Sequence, residues 1–191
     1  MELLWHVDED DNVVGPVERS KAHRDGILHR SGMIFVRRSD GKVLIQRRSG
    51  SKDTFPGRMD ASVAFHVTYG EEYDSAATRE LTEETGLNAP VRFIGKFTHH
   101  ESPEHEIVAV YECRSDQEIR MDPSESEGFE YKSDAEVDSI VESGNPTPWL
   151  RDGWRMMRSR QRSDRAPPKP NNTYQCFLAE SSYAPSRGCQ A

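Results

Sequence analysis

Residues 79–87 read Arg79-Glu80-Leu81-Thr82-Glu83-Glu84-Thr85-Gly86-Leu87, with Gly70-Glu71 a short way upstream. Ala76, Ala77 and Leu81 recur at helical spacing, the segment is rich in helix formers, and Gly86 is a C-terminal stop, so a helix is predicted over 73–85. At about 100° per residue, Glu83 and Glu84 lie three and four positions after Glu80, and the three carboxylates share one face. Such a row repels itself unless a cation sits over it. Mg²⁺ commonly combines one or two carboxylates with waters and substrate phosphates, so the row suits ions held against a phosphorylated ligand. Arg79 stands four residues before Glu83, where an ion pair can orient that carboxylate. Ala77 and Leu81 point the other way, into a core.

Working outward, Met33-Ile34-Phe35-Val36 and Val43-Leu44-Ile45 flank Ser39-Asp40-Gly41-Lys42. An Asp-Gly between β-rich runs predicts a hairpin of two core strands. Further upstream, 3–7 and 13–17 form a second predicted hairpin across an acidic spacer, and 21–30 is a polar connection. Residues 47–52 are expected as a basic loop, 54–57 as a turn, and 61–67, 91–97 and 107–113 as strands, the last alternating between apolar and polar positions. The acidic stretch 115–132 lacks periodicity and is expected as a loop. Helices are predicted over 135–141 and from Pro148, where Leu150, Trp154 and Met157 recur at i, i+4 and i+7. Trp149, Trp154, Met156 and Met157 are expected to pack that helix. One domain over 1–160 followed by a flexible tail over 161–191 is the resulting organisation.

The 191 residues carry a net charge of −8, unevenly spread. Residues 1–150 hold 17 basic and 30 acidic side chains, a net −13, whereas 151–170 hold seven and two, a net +5. An acidic body disfavours clamping of a nucleic-acid backbone, which needs many Lys and Arg. The basic stretch could meet RNA, a membrane or the chain's own acidic body. Cys113, Cys176 and Cys189 are odd in number and lack metal-ligand spacing, arguing against a disulfide framework or structural zinc. With no apolar run near the roughly 18 residues of a membrane span and no leader pattern, a soluble, cytoplasmic protein is expected.

The stretch resembles the signature of the Nudix hydrolases: Gly, five residues, Glu, seven residues, then Arg-Glu-aliphatic-any-Glu-Glu-any-Gly-aliphatic. Glu71, Arg79, Glu80, Leu81, Glu83, Glu84, Gly86 and Leu87 match, and Phe65 stands where the first glycine is expected, so the box spans 65–87. The resemblance implies an α/β fold, an α/β/α sandwich with a mixed β-sheet, and a Mg²⁺- or Mn²⁺-dependent hydrolase of a pyrophosphate linkage in a nucleoside diphosphate joined to another group. A homodimer is common for such folds. His23, the run 25–30 ending in His29-Arg30, Gln46-Arg47-Arg48, residues 52–57 and His66 extend the resemblance toward the branch that includes type I isopentenyl diphosphate isomerase. Histidines matching His23, His29 and His66 bind metal in those isomerases. Their proton-donating cysteine, two residues before the last histidine, is replaced here by Ala64, so the hydrolases of that branch are the nearer match.

The resemblance makes Glu80, Glu83 and Glu84 the principal metal ligands, with Glu71, His23, His29 and His66 as further candidates. Arg79 joins the catalytic set with those three glutamates. Glu83, Glu84 and Glu71 are alternative general bases. His29 and His66 could equally be hydrogen-bonded within the fold, and His99, His100 and His105 are expected in an exposed loop. Arg47, Arg48 and Lys52 could grip phosphate or form a solvated loop. Phe65 and Tyr69 could stack on a base or sugar or simply fill space. A competing reading is a catalytically silent nucleotide-binding or protein-interaction module, for which Phe65, the acidic loop and the basic helix end speak.

Overall fold

The protein is described here by a computed structural model covering residues 2–101 and 104–165. Strands β1 (Leu3–Val7) and β2 (Val13–Glu18) form the first hairpin, followed by α1 (Arg19–Asp25), β3 (His29–Arg37), β4 (Val43–Arg48), β5 (Met59–Asp60) and β6 (Val63–His66). Helix α2 (Tyr73–Thr85) precedes β7 (Val91–Glu101), β8 (Glu104–Arg114) and β9 (Ser126–Lys132), and α3 (Asp134–Ser143) and α4 (Pro148–Arg165) end the described chain. The helix predicted over 73–85 is α2, and Gly86 closes it in the left-handed conformation, φ 71°, that glycine adopts without strain. Helix α4 continues past residue 160 to Arg165; the rest of the expected tail, 166–191, lies outside the described residues.

The sheet is mixed. β3 runs parallel to β8, from His29 opposite Glu106 to Arg37 opposite Arg114, and antiparallel to β1, β4 and β6. On one face, Ala76, Ala77 and Leu81 of α2 pack on Ile34, Val36 and Leu44. On the other, Leu150, Trp154 and Met157 of α4 pack on Met33, Phe35 and Ile45. The result is the sandwich expected of the resemblance.

Strand β8 departs from the expected alternation. It lies between β3 and β7, with Ala109, Tyr111 and Cys113 facing α2 and Val108 and Val110 facing α4, so both faces are apolar as in a covered parallel strand. Three further expectations are corrected. Part of 21–30 is the helix α1, docked by Ala22 against Leu4 and Val17. Arg47 and Arg48 belong to β4 rather than to a loop. The segment 126–132 is strand β9, paired antiparallel with β4. Glu127, Gly128, Phe129 and Glu130 are exposed and no apolar alternation runs through it, so backbone pairing rather than an apolar pattern creates it.

The basic stretch is answered in part by the chain's own acids. Arg158 pairs with Asp134 at 2.5 Å and Asp138 at 3.2 Å on α3, and Trp154 donates to Asp138. Helix α3 opens with a reciprocal capping box between Ser133 and Glu136. No described helix is long and apolar enough to cross a membrane.

Candidate active site

Burial of Ala77 and Leu81 sets the rotation of α2 and hence where its acids point. Glu80 and Glu84 line a cavity of about 350 Å³. Glu83 turns outward, its side chain 58% exposed. Arg79 gathers three carboxylates: it meets Glu71 through two bonds of 3.0 and 2.8 Å, Glu80 at 2.7 Å and Glu83 at 2.9 Å. These bonds hold its guanidinium firmly protonated, against the cost of its burial.

Glu84 lies outside Arg79's reach. It is 5% exposed, and among the described residues its Oε2 has no hydrogen-bond partner. Burial, then the charges of Glu125 and Glu80, push its carboxyl well above the usual range. Burial raises Glu80 as well, with Arg79 pulling in the opposite direction.

A second acidic group opens on the same cavity, built by strand register rather than by helix period. His29 stands opposite Glu106 on the parallel β3–β8 pair, and Ser31 of β3 pairs with His66 of β6. His23 arrives from α1, with Nε2 3.2 Å from His66 Nε2. Glu106 Oε1 lies 3.5 Å from His29 Nε2 and 3.2 Å from His66 Nε2, and Glu104 Oε1 lies 3.6 Å from His23 Nδ1. One ligand atom from each of these five side chains falls within 4.8 Å of all the others.

The five groups are poised for a cation. Burial alone would raise Glu106, but the imidazoles of His29 and His66 beside it outweigh that and hold the carboxylate well below its ordinary range. Burial opposes charging of His29, yet the neighbouring Glu106 carboxylate outweighs it and raises the imidazole. Burial, then repulsion from His66 and His29, brings His23 down to about 4, leaving it neutral at pH 7. Burial and the neighbouring charge of Glu106 push Glu104 up to about 7. His29 Nε2 and both Glu104 oxygens are buried without a hydrogen bond of ordinary geometry among the described residues. Three imidazoles and two carboxylates with orphaned donor atoms fit a divalent cation. Hydrogen bonding within the fold explains only part of the group: His29 Nδ1 meets the Ile27 carbonyl at 2.8 Å, Ser31 Oγ donates to Glu106 Oε2 at 3.1 Å, and the Nε2 atoms of His23 and His66 face one another at 3.2 Å.

The cavity walls gather some of the remaining expected residues and leave others out. Arg48, Lys52 and Phe65 line it. Arg47 points elsewhere, donating to the Gly57 carbonyl at 3.2 Å. Tyr69 packs on Trp5 with ring centres 4.3 Å apart, outside the cavity. Glu71 is held by Arg79 and is likewise outside. Phe65 neither disrupts the strand nor closes the cavity: it stands opposite Gly32, where a Cβ would meet its Cζ at 2.4 Å. The glycine missing from the box is matched by one across the strand pair.

Sequence reasoning missed Glu104, Glu106, Glu125 and Arg19, all on the cavity wall, and Trp149, which lines the cavity as well as packing α4. Two glutamates spaced i, i+2 on a strand were the available signal for Glu104 and Glu106, since that period puts both on one face. His99 is buried at 3% exposure in β7 rather than set in an exposed loop, whereas His100 is exposed and His105 is half-buried in β8.

Comparison with known proteins agrees with this architecture. The NUDIX domain profile matches residues 27–150. An isopentenyl-diphosphate Delta-isomerase of Serratia proteamaculans is 33% identical over 135 residues, covering 68% of this chain and 75% of the relative. A Nudix hydrolase of Streptomyces coelicolor is 39% identical over 116 residues, 59% of this chain and 64% of the relative. Among solved structures, a Deinococcus radiodurans protein superposes with a TM-score of 0.70 at 30% identity, covering 81% of this chain and 98% of its own.

Proposed function

Because the chain belongs to the NUDIX family, we propose that it is a divalent-cation-dependent hydrolase that cleaves the pyrophosphate linkage of a nucleoside diphosphate joined to another group. The observation that supports this reading is one cavity shared by Glu80 and Glu84, the buried Glu104 and Glu106, the half-buried His66, and the cations Arg19, Arg48 and Lys52. Acids to hold metal and bases to hold phosphate meet there at close quarters.

The group His23, His29, His66, Glu104 and Glu106 suits a cation that accepts imidazole as well as carboxylate, such as Mn²⁺. Glu80 and Glu84 offer oxygen alone and suit Mg²⁺ or Mn²⁺ arriving with the diphosphate. A bound cation would neutralise phosphate oxygens and lower the pKa of the attacking water. In this reading the water oxygen bonds to one phosphorus, the bridging P–O bond breaks, and the water's proton leaves through a carboxylate. Of the alternatives Glu71, Glu83 and Glu84, only Glu84 borders the cavity, which puts its carboxylate within reach of a water there. Arg48 and Lys52 would hold the diphosphate.

Isomerisation of an isopentenyl diphosphate is disfavoured by chemistry. Ala64, in the position of the isomerases' proton donor, lines the cavity and carries no proton to give. Cys113 lies buried on the α2 face of the sheet, away from the cavity.

The test is phosphoanhydride cleavage over a panel of nucleoside diphosphate sugars, nucleoside di- and triphosphates and dinucleoside polyphosphates, with Mg²⁺ or Mn²⁺, beside a Glu84→Gln control. Turnover of one class that disappears in the variant while its melting temperature holds supports the hydrolase. A wild type that binds cation and nucleotide yet turns over none of them favours the silent binding module.

A further inference from the structure

Asp60 lies at the end of β5 and is fully buried. Its carboxylate accepts from Ala61 N at 2.8 Å, Thr147 Oγ1 at 2.9 Å, Trp149 Nε1 at 2.9 and 3.0 Å, and Arg48 Nη1 at 3.1 Å. Two of these donors, Arg48 and Trp149, line the cavity, whereas Asp60 does not. The Arg48 guanidinium lies 5.6 Å from the Trp149 ring, and Phe55 meets the indole edge-on at 5.1 Å. Asp60 therefore joins β4, β5 and the start of α4 into one wall.

Arg48 has five N–H groups, and its protein partners leave a pattern. Nε and Nη2 donate to the Thr54 carbonyl at 3.2 and 3.1 Å, and Nη1 donates to Asp60. Among the described residues, one N–H on each terminal nitrogen is left for another acceptor, a spacing that suits two oxygens of a phosphate. The cavity's other cations are held differently. Arg19 pairs with Asp53, whose side chain is 74% exposed, and Lys52 pairs with the partly exposed Glu125. Those partners reach solvent, Asp53 largely and Glu125 in part, whereas Asp60 is fully buried and cannot move without unpacking the wall.

We propose that Asp60 is a positioning residue that fixes Arg48 and Trp149 as a preformed grip for a diphosphate group. The proposal rests on the pyrophosphate reading for its ligand, and on the geometry of Asp60 alone for the positioning. Asp60→Asn is the discriminating change. Its amide oxygen can still accept from Trp149, but its NH₂ would face Arg48 donor to donor.

The experiment measures binding of methylenediphosphonate with Mg²⁺ by calorimetry in wild type, Asp60→Asn, Arg48→Gln and the double variant, with melting curves alongside. Each single change is expected to weaken binding roughly 10–100-fold, the usual range for an outer partner of a binding group, with the double variant no weaker than Arg48→Gln. Losses that multiply, or an Asp60→Asn affinity within about twofold of wild type, overturn the proposal. The indole N–H resonance of Trp149, assigned with Trp149→Phe, covers the case in which Asp60→Asn does not fold. It is expected to be protected from exchange and to shift in Arg48→Gln, because both donors share one carboxylate. An unprotected or unshifted resonance overturns the positioning role. A wild type that binds no diphosphonate sinks the pyrophosphate reading alone and leaves Asp60 to be judged on the indole signal.

Discussion

The two acidic groups that meet at the cavity, through Glu80 and Glu84 on one side and His66, Glu104 and Glu106 on the other, are built in opposite ways. Glu80, Glu83 and Glu84 come from one turn of α2, and their relation is a matter of helix geometry. The group of His23, His29, His66, Glu104 and Glu106 comes from α1, β3, β6 and β8, and exists only when four elements dock. The local group is partly neutralised by its own neighbour, Arg79, which leaves Glu84 alone buried and unpartnered. The distant group is neutralised by interleaving imidazoles with carboxylates. Sequence period can assemble carboxylates, but deciding which one enters the cavity takes packing.

The sharpest way to break the comparison is inside the helix. Glu84→Gln is expected to lower turnover by roughly 10²–10⁴-fold, the usual weight of a positioned acid–base group, and Glu83→Gln by less than about tenfold. Equal losses in steady-state kinetics would mean that the outward pose of Glu83 does not describe the working site.

Next in size is the docked group. Replacing Glu106 by Gln removes the carboxylate between His29 and His66. Mn²⁺ affinity, read by calorimetry, should fall by at least about 100-fold, the upper end of what outer-shell changes alone cost. Glu83→Gln should leave that affinity unchanged.

Protons separate the groups further. In the metal-free protein Glu104 has its pKa raised to about 7, above the unfolded carboxyl near 4.5. Its protonated form therefore adds stability that is complete below about pH 4.5 and lost as pH rises through 7. A cation must displace that proton, so Mn²⁺ affinity should rise by up to about tenfold per pH unit between 5 and 7 and level off above. Melting curves across this range, with and without Mn²⁺, check both signs. Glu104→Gln should flatten the dependence.

The smallest effect belongs to Arg79. Its side chain is 34% exposed, so solvent screens its ion pairs, and Arg79→Gln should cost only about 1 kcal/mol of stability in denaturant unfolding. Mn²⁺ affinity should stay at the wild-type value, because none of the five docked side chains touches Arg79.

Much of the frame was legible in consecutive residues. The Asp40-Gly41 turn between apolar runs announced the β3–β4 hairpin, and Ala76, Ala77 and Leu81 announced α2. Strand β9 was not legible, since its charged Glu127, Glu130 and Lys132 carry no strand period and it pairs because β4 offers an edge. Three of the five side chains of the docked group could be named from the resemblance, as His23, His29 and His66. Glu104 and Glu106 could not, because nothing near them in the chain shows that β8 runs parallel beside β3.

What the sequence alone determined is the helix with Glu80, Glu83 and Glu84 on it and Arg79 one turn before Glu83, the hairpins and the two apolar helix faces, because those relations hold between residues close together in the chain. Tertiary structure decided which acids share a cavity, how Phe65 is received by Gly32, and why Asp60 commands Arg48 and Trp149. His23 and His66 are 43 positions apart, and Trp149 is 89 from Asp60. Contacts at such separations depend on strand register and on burial on both faces of the sheet, which form only when the whole chain packs at once.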